Sequence, residues 1–537
     1  MKRNIALILV LALLLALAGC GGDAAPVGSG TEADPYRIAT AEEFRAMARR
    51  INEGGFGSDY AKACYLLTAD IDLEGREWEP IGNDSVFFSG VLDGGGHTVT
   101  GLKISYKDPL TGAGMDDVAL IGHMSEGTVK NLTVAASTLS ARGAQPRCAA
   151  IVANCRESLI ENCHVAADVT VASTYQAAGV VANASSTFVI GCTNAAAITG
   201  EGKSSQAGGI AARADGPVEN CANSGTVTAG GDAAGIAVQA NSGVKNCANS
   251  APVTADAGCA GGIVGTFDDG ALNKESNDTS VTLENCTNSG SVTSLRDVAG
   301  GIAAACRTGT VRGCANTAPV RGAEEAGGIM GFFHLSAFGN PAPTFTVENC
   351  TNSGTVTAIA ESGQGVAGGI CADLMGGKDT LFFFENCTNT GAVETGGQTD
   401  VAESYGAAGG IIGNGQVRGL TIRGCVNEGS VRGVHTAGGI MGMARVVNHD
   451  DARADAAFLA ENCANRATVY ATDPGGLAVE LYVGGILGTR VQEGIGLPPF
   501  VSMDFVNCEN TGSLEGDDSR VPLCADDRCG SDRSTIE

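Results

Sequence analysis

Residues 347–358 read VENCTNSGTVTA, and nearly the same phrase recurs along the chain, always around a cysteine. Close copies begin at Val218, Leu283, Phe384 and Ala460, and successive cysteines of the series are 26 to 45 residues apart. The series in register comprises Cys163, Cys192, Cys221, Cys247, Cys286, Cys314, Cys350, Cys387, Cys425, Cys463 and Cys508. A repeat of this period predicts a solenoid, which can form one elongated domain of any length.

Each period holds three short apolar segments separated by turn residues. In the quoted copy they end at Val347, run through Val356, and continue as VAGGIC from Val366. The segments lack the i, i+3, i+4 spacing of helical repeats. Three strands and three bends per coil therefore predict an all-β fold, a right-handed, single-stranded parallel β-helix. Asn349, Asn352 and other Asn or Gly residues of the phrase, such as Gly354, are predicted to occupy left-handed bends.

The repeated cysteine predicts an inward column of small buried side chains, one per coil. Free thiols are favoured, because side chains in register point the same way and the series has an odd number of members. The alternative is a disulfide ladder, since adjacent coils bring α-carbons within bridging distance. The asparagines beside each cysteine are expected to stack as amide ladders.

The residue two positions before each column cysteine is predicted to face solvent. Its charge alternates along much of the chain, and opposite charges on neighbouring strands help to set the register. The residues are Glu161, Ile190, Glu219, Lys245, Glu284, Arg312, Glu348, Glu385, Arg423, Glu461 and Val506. We therefore assign these charges a structural role.

The first residues predict export. Residues 1–19 combine a basic start with an apolar stretch of signal-peptide length, and the run that ends at Cys20 resembles a bacterial lipobox. Lipidation of Cys20 and a flexible tether over residues 20–34 are the expectation, with ordinary secretion as the alternative. We expect an extracytoplasmic protein, anchored by lipid to a bacterial membrane and exposed at the cell surface or in the periplasm. The net charge of −26 argues against nucleic acid as a partner.

The segments that flank the repeats are predicted to be a cap and a tail. Residues 35–117 contain a capping box, Thr40 with Glu43, followed by a helix that ends near Gly54 and by the first coils. The helix is expected to cover the open end of the β-helix. Residues 516–537 form a polar tail, in which Cys524 and Cys529 are either bridged or free. The apolar helix face comprises Phe44, Met47, Ala48 and Ile51.

The third segment of each coil carries a recurring motif, AGGI or VGGI followed by two small or apolar residues. Copies begin at Ala207, Ala260, Ala326, Ala408, Ala437 and Val483. Together with the cysteine phrase, the motif resembles the GLUG-motif repeat of bacterial surface proteins, over residues 118–515. Isoleucine replaces the leucine of that motif. The resemblance implies an adhesin-like or surface-associated protein whose repeat has no assigned catalytic residues.

Candidate metal ligands are sparse. Asp70 and Asp72 share one face of a predicted strand and could hold calcium, but an outward polar face explains them as well. The acidic insertion of residues 449–455, with His449, Asp450 and Asp451, is explained equally by a solvated loop. Neither the histidines nor the cysteines show the spacing of a metal site, so no cofactor is predicted.

Extra residues fall mostly between the AGGI segment and the next cysteine, so they are expected to project from one face. Several phenylalanines in these insertions predict an exposed apolar ridge, unless they are inward strand residues. The sole tryptophan, Trp78, lies outside the repeats, which favours protein ligands over glycans. The ridge comprises Phe267, Phe332, Phe333, Phe338, Phe382, Phe383 and Phe500.

The sequence thus predicts a monomeric, lipid-anchored β-helix that binds a host or matrix protein, or a glycan, without catalysis. A polysaccharide lyase or glycoside hydrolase on the same scaffold is the alternative, and a structural envelope component without a ligand is a third possibility. An enzyme requires carboxylates from neighbouring coils to converge in one groove.

Overall fold

The computed structural model describes most of the repeat region and its N-terminal cap. The described residues are 27–55, 57–104, 116–268, 282–307, 309–334, 344–360, 365–376, 380–396, 406–416, 419–447, 457–472, 481–493 and 502–515.

The described residues form a right-handed parallel β-helix, which confirms the predicted fold class. Five sheets run along its axis, and the strands within each sheet pair in parallel. In the order in which the chain visits them, they hold 15, 14, 13, 12 and 12 strands among the described residues. The first and last strands of the five sheets are Tyr36–Ile38 and Ser502–Val506, Ile71–Asp72 and Glu509–Asn510, Lys103–Ile104 and Leu514–Glu515, Asp117–Val118 and Tyr482–Gly484, and Ile121–Ser125 and Leu487–Glu493.

Each full coil has five short strands, so the predicted count of three was wrong. After the first predicted segment, Asn349 bends the chain with a φ of +54°, and an unpredicted strand, Thr351–Asn352, follows before the second segment. The third is broken by paired glycines, because a Cβ on Gly368 would overlap the carbonyl oxygen of Cys371. The strands of the coil quoted first are Thr344–Glu348, Thr351–Asn352, Val356–Ile359, Val366–Gly368 and Cys371–Met375.

The left-handed bend is confined to one of the positions predicted for it. Asn349 has positive φ, and glycine replaces it in three other coils, at Gly191, Gly313 and Gly424. Asn352 lies in an extended strand instead. At Gly354 glycine is required because a side chain would not fit, since a Cβ there would overlap the carbonyl oxygen of Ala318. Its backbone does not need a positive φ.

Helix α1 (Ala41–Glu53) begins with the predicted capping box. Thr40 Oγ1 accepts from the Glu43 backbone N–H at 3.2 Å, and the Glu43 carboxylate accepts from the Thr40 N–H at 3.1 Å. Phe44 is buried and stacks on Trp78, with ring centroids 5.0 Å apart. A second helix, α2 (Asp59–Lys62), follows. In the part of the chain that the structure describes, no helix has the length and apolarity needed to cross a bilayer.

The cysteine column lies inside the coil. Its eleven members are buried and none forms a disulfide. Cys350 Sγ, for example, lies 3.3 Å from the carbonyl oxygen of Glu348. Hydrogen bonding between neighbouring column thiols, together with burial, raises the pKa of Cys192 well above its ordinary value. Because burial in an apolar core disfavours a charged thiolate, we interpret the column thiols as neutral core groups.

An asparagine ladder runs beside this column. Asn352 Nδ2 donates to Asn389 Oδ1 at 2.8 Å and also to the carbonyl oxygen of Gly354 at 2.9 Å. From Asn194 to Asn465, each side-chain amide donates both to the asparagine of the next coil and to a carbonyl in the bend of its own coil, and each is no more than 2% exposed. The ladder comprises Asn194, Asn223, Asn249, Asn288, Asn316, Asn352, Asn389, Asn427, Asn465 and Asn510.

The alternating charges pair across coils on the outer face of the first sheet. Arg423 lies between Glu385 at 2.9 Å and Glu461 at 2.8 Å. Arg312 lies between Glu284 at 3.5 Å and Glu348 at 3.6 Å. Glu348 and Glu385 are neighbours in register, so two like charges stack at this point of the column. These pairs are partly exposed, so each contributes at most about 1 kcal/mol.

The predicted ridge of phenylalanines is wrong for three of its members. Phe267, Phe333 and Phe382 are no more than 2% exposed and belong to the core. The strands continue into the supposed insertions, and their alternation turns these rings inward. Phe332 and Phe383 are half-buried on the outer face. Phe338 and Phe500 lie outside the described residues.

Candidate functional site: a cleft between the fourth and fifth sheets

The strands of the fourth and fifth sheets follow each other directly in every full coil among the described residues, and we interpret the crease between their outer faces as a cleft. Its floor is lined by small residues that face away from the core yet have no exposed surface. Four of them form a buried cluster separate from the main core, namely Ala149, Ala178, Ala182 and Ala212. Complete burial on an outer face requires the two sheets to fold toward each other, so this crease is concave.

The walls of the cleft are two columns of side chains, one from each sheet. Gln176 Nε2 donates to Gln206 Oε1 on one wall, and Asn183 Nδ2 donates to Asn154 Oδ1 on the other, both at 2.9 Å. The fourth-sheet wall follows Asp117, Arg147, Gln176, Gln206, Asp232, Cys259, Val298, Glu325, Val366, Ala407, Thr436 and Tyr482. The fifth-sheet wall follows His123, Asn154, Asn183, Arg213, Gln239, Thr266, Ala305, Phe332, Asp373, Asn414, Met443 and Thr489.

An ion-pair network closes the N-terminal end of the cleft. Arg147 Nε donates to Asp117 Oδ1 at 2.6 Å, and Arg147 Nη2 donates to Asp117 Oδ2 at 3.0 Å. His123 Nε2 lies 2.5 Å from Asp117 Oδ2 and 3.4 Å from Asp84 Oδ1. Burial acts to raise the pKa of Asp117, but hydrogen bonds from His123 and Arg147 outweigh it and lower the pKa. Asp84, Asp117 and His123 have ligand atoms within 4.8 Å of one another. Because Arg147 already balances the Asp117 charge, we interpret the cluster as a salt-bridge network.

The middle of the cleft is acidic. Burial, and secondarily the neighbouring charge of Asp297, raises the pKa of Asp232 despite a hydrogen bond from the Cys259 backbone. Cys259 Sγ lies 3.6 Å from Asp297 Oδ2. Burial, followed by the charges of Asp373 and Asp297, raises the pKa of Glu325 to about 9. Acidic side chains from several coils, Asp232, Asp297, Glu325 and Asp373, therefore lie along one stretch of the cleft.

The structure does not assemble a metal site from Asp70 and Asp72. Both are exposed, and each accepts hydrogen bonds from its own surroundings. Asp70 Oδ1 accepts from the Thr98 backbone N–H at 3.0 Å, and that bond, with a smaller contribution from His97, lowers the Asp70 pKa. Asp72 Oδ1 accepts from the Glu74 N–H at 2.7 Å. Within the described part of the chain, these aspartates accept hydrogen bonds from nearby backbone N–H groups.

Several other predicted residues cannot be placed, because they fall outside the described ranges. They are Cys20, His449, Asp450, Asp451, Asp455, Cys524 and Cys529.

The wall residues were not predicted from the sequence, although their positions relative to the recurring motif could have identified them. One wall residue directly precedes the AGG or equivalent triplet, as Gln206 does. The other follows the motif isoleucine by three positions, as Arg213 follows Ile210. These positions are polar in many coils and differ from coil to coil, unlike the residues between them. Polar residues that stand at fixed offsets from a recurring motif, but differ from coil to coil, indicate a surface whose side chains change along the axis.

Comparison with known proteins gives limited similarity. No family model matches the chain. A "Putative Gly-rich membrane protein" of Evansella cellulosilytica is 30% identical over 134 residues, which are 24% of this chain and 14% of that protein. "Halomucin" of Haloquadratum walsbyi is 32% identical over 120 residues, 20% of this chain and 1% of that protein. The chain therefore spans only a small part of either relative. The resemblance to GLUG-motif proteins stays a prediction.

One solved structure covers most of the chain. It is described as the crystal structure of "a putative immunoglobulin A1 protease from Bacteroides ovatus". It is 16% identical and covers 91% of this chain and 86% of that chain, with a TM-score of 0.25. At that score the likeness carries no argument about this protein's activity.

Proposed function

We propose that this protein is an extracytoplasmic, surface-displayed β-helix that binds a polysaccharide chain along the cleft between its fourth and fifth sheets. The observation that supports this most is the pair of polar walls. Amide, carboxyl, imidazole and guanidinium side chains repeat at every coil, or about every 4.8 Å, from Asp117 to Asp232 on one wall and from His123 to Gln239 on the other, and recur at single coils beyond. Such side chains hydrogen-bond sugar hydroxyls, and a linear groove suits a linear polymer.

The net charge of the protein limits which class of polysaccharide can bind. With a net charge of −26 and an acidic centre in the cleft, a neutral or aminated glycan is favoured over a uronic-acid polymer. The two relatives, one named a membrane protein and the other Halomucin, are consistent with display outside the cytoplasm. Lipidation at Cys20 would supply the membrane attachment. Burial of Phe267, Phe333 and Phe382 removes three members of the apolar ridge that was predicted as a ligand surface.

Binding can be tested with two arginine variants of matched chemistry. Arg213 is half-buried in the cleft wall, whereas Arg312 lies in the ion-pair column of the first sheet. We expect Arg213→Ala to weaken binding to a neutral polysaccharide about tenfold or more, since a hydrogen bond to a charged group contributes about 1.5–3 kcal/mol. Arg312→Ala should bind like the wild type. Dissociation constants for xylan, mannan, glucan and chitin oligosaccharides would be measured by calorimetry.

Two results would contradict the proposal. One is the absence of binding to every glycan, with retention of a matrix protein by the same sample. The other is loss of binding in Arg312→Ala but not in Arg213→Ala, which would move the ligand to the first sheet.

A further inference from the structure

Two carboxyl groups from neighbouring coils face each other across the middle of the cleft. Glu325 lies in the fourth-sheet wall, with Val366 as its register partner in the next coil. Asp373 lies in the fifth-sheet wall of that next coil, beside Phe332 of the coil that carries Glu325. The two groups are therefore on opposite walls and offset by one coil, about 4.8 Å along the axis. They are close enough for the charge of Asp373 to act on Glu325.

Glu325 and Asp373 lie in different environments. Burial, and then the charges of Asp373, Asp297 and Glu324, raises the pKa of Glu325 to about 9, so its carboxyl holds a proton at pH 7. Asp373 Oδ1 accepts a hydrogen bond from Asn414 Nδ2 at 2.9 Å. A protonated carboxyl beside a second acidic group is suited to give a proton to a leaving group while the second group takes one from water.

Unpaired polar atoms beside the pair indicate a missing ligand. Asn414 is 5% exposed, and its Oδ1 has no hydrogen-bond partner among the described residues. Thr436, with no exposed surface and with Oγ1 unpaired within the described ranges, lies further along the fourth-sheet wall, three coils beyond Glu325. The same holds for Glu325 Oε2. Buried acceptors and hydroxyls without partners cost free energy that sugar hydroxyls in the cleft would recover.

We propose that Glu325 and Asp373 hydrolyse a glycosidic bond of the polysaccharide that lies in the cleft, an activity that rests on the proposed binding function. The Glu325 carboxyl gives its proton to the glycosidic oxygen as the bond from that oxygen to the anomeric carbon breaks. A water molecule forms the new bond to the anomeric carbon and gives a proton to the Asp373 carboxylate. One water is consumed, both products leave as free sugars, and exchange with solvent returns each carboxyl to its starting state.

The experiment follows new reducing ends. The full chain in detergent would be incubated with xylan, mannan, glucan and chitin oligosaccharides, and binding would be measured on the same samples. We expect the wild type to cleave at least one of them, and Glu325→Gln and Asp373→Asn to cleave it about 100-fold more slowly or worse. Glu324→Gln is the matched control, because it removes the same charge from the exposed residue next to Glu325.

The possible outcomes separate this proposal from the binding proposal. Cleavage that survives Glu325→Gln at the rate of Glu324→Gln overturns the assignment of the pair. Binding without cleavage by the wild type overturns the activity but leaves the binding function. Glu325→Gln that still binds the oligosaccharide but does not cleave it supports both, and shows that the variant is folded.

Discussion

Asn352→Asp should lower the free energy of unfolding by about 3 kcal/mol or more. Asn352 is 1% exposed and donates both to Asn389 of the next coil and to the Gly354 carbonyl. Aspartate has the same shape but no N–H, so a carboxylate oxygen would face two acceptor oxygens without water. Leaving buried acceptors unpaired costs about 1–3 kcal/mol, and burying an uncompensated charge costs more. Urea unfolding followed by circular dichroism measures the loss.

The control for this prediction lies three residues earlier. Asn349 has the left-handed φ that three other coils assign to glycine, and it is not part of the buried ladder. Asn349→Gly should therefore change stability by less than about 1 kcal/mol. An Asn352→Asp protein as stable as Asn349→Gly would show that the ladder does not hold the coils together.

Glu325→Gln should remove a pH dependence of stability that the wild type shows between about pH 5 and pH 9. In the folded protein, burial and the neighbouring acids raise the Glu325 pKa to about 9, above its ordinary value of 4.5. The folded state then keeps a proton that the unfolded state loses, so stability falls as pH rises through this window. One proton corresponds to a slope of about 1.4 kcal/mol per pH unit at most.

The measurement is the difference in unfolding free energy between wild type and variant across this range. The difference should favour Glu325→Gln increasingly from pH 5 to pH 8, because glutamine stays neutral in both states. Glu324→Gln, at an exposed position, should keep most of the wild-type slope, because the Glu324 charge is the smallest of the contributions that raise the Glu325 pKa. Parallel curves for wild type and Glu325→Gln would show that Glu325 is ionised in the folded protein.

The repeat phrase was sufficient to predict the coil and its interior. A cysteine and an asparagine at fixed points of each period must stack when the coils stack, and Cys350 and Asn352 do so. The number of strands was not predictable from apolar segments, because Gly368 breaks a strand without interrupting apolar character and because the strand Thr351–Asn352 contains no apolar run. The phenylalanines were misassigned for a related reason. Nothing in the pattern marks where the strand containing Phe267 ends and its insertion begins.

The cleft could not be predicted from the pattern of residues in the sequence. The turn from the fourth sheet to the fifth is so tight that a Cβ on Gly368 would overlap the carbonyl oxygen of Cys371. Glu325 and Asp373 belong to different coils, and an insertion of variable length separates them in sequence. Only the register of the two sheets shows that they face the same stretch of cleft.

The central claim is that ligands occupy this cleft, and the most direct test is a crystal structure of Glu325→Gln with the oligosaccharide that binds most tightly. We predict sugar density between the two walls, with rings hydrogen-bonded to Asn414 and to side chains near residues 325 and 373. Density on the ion-pair face around Arg312, or on the insertions outside the cleft, would contradict the account.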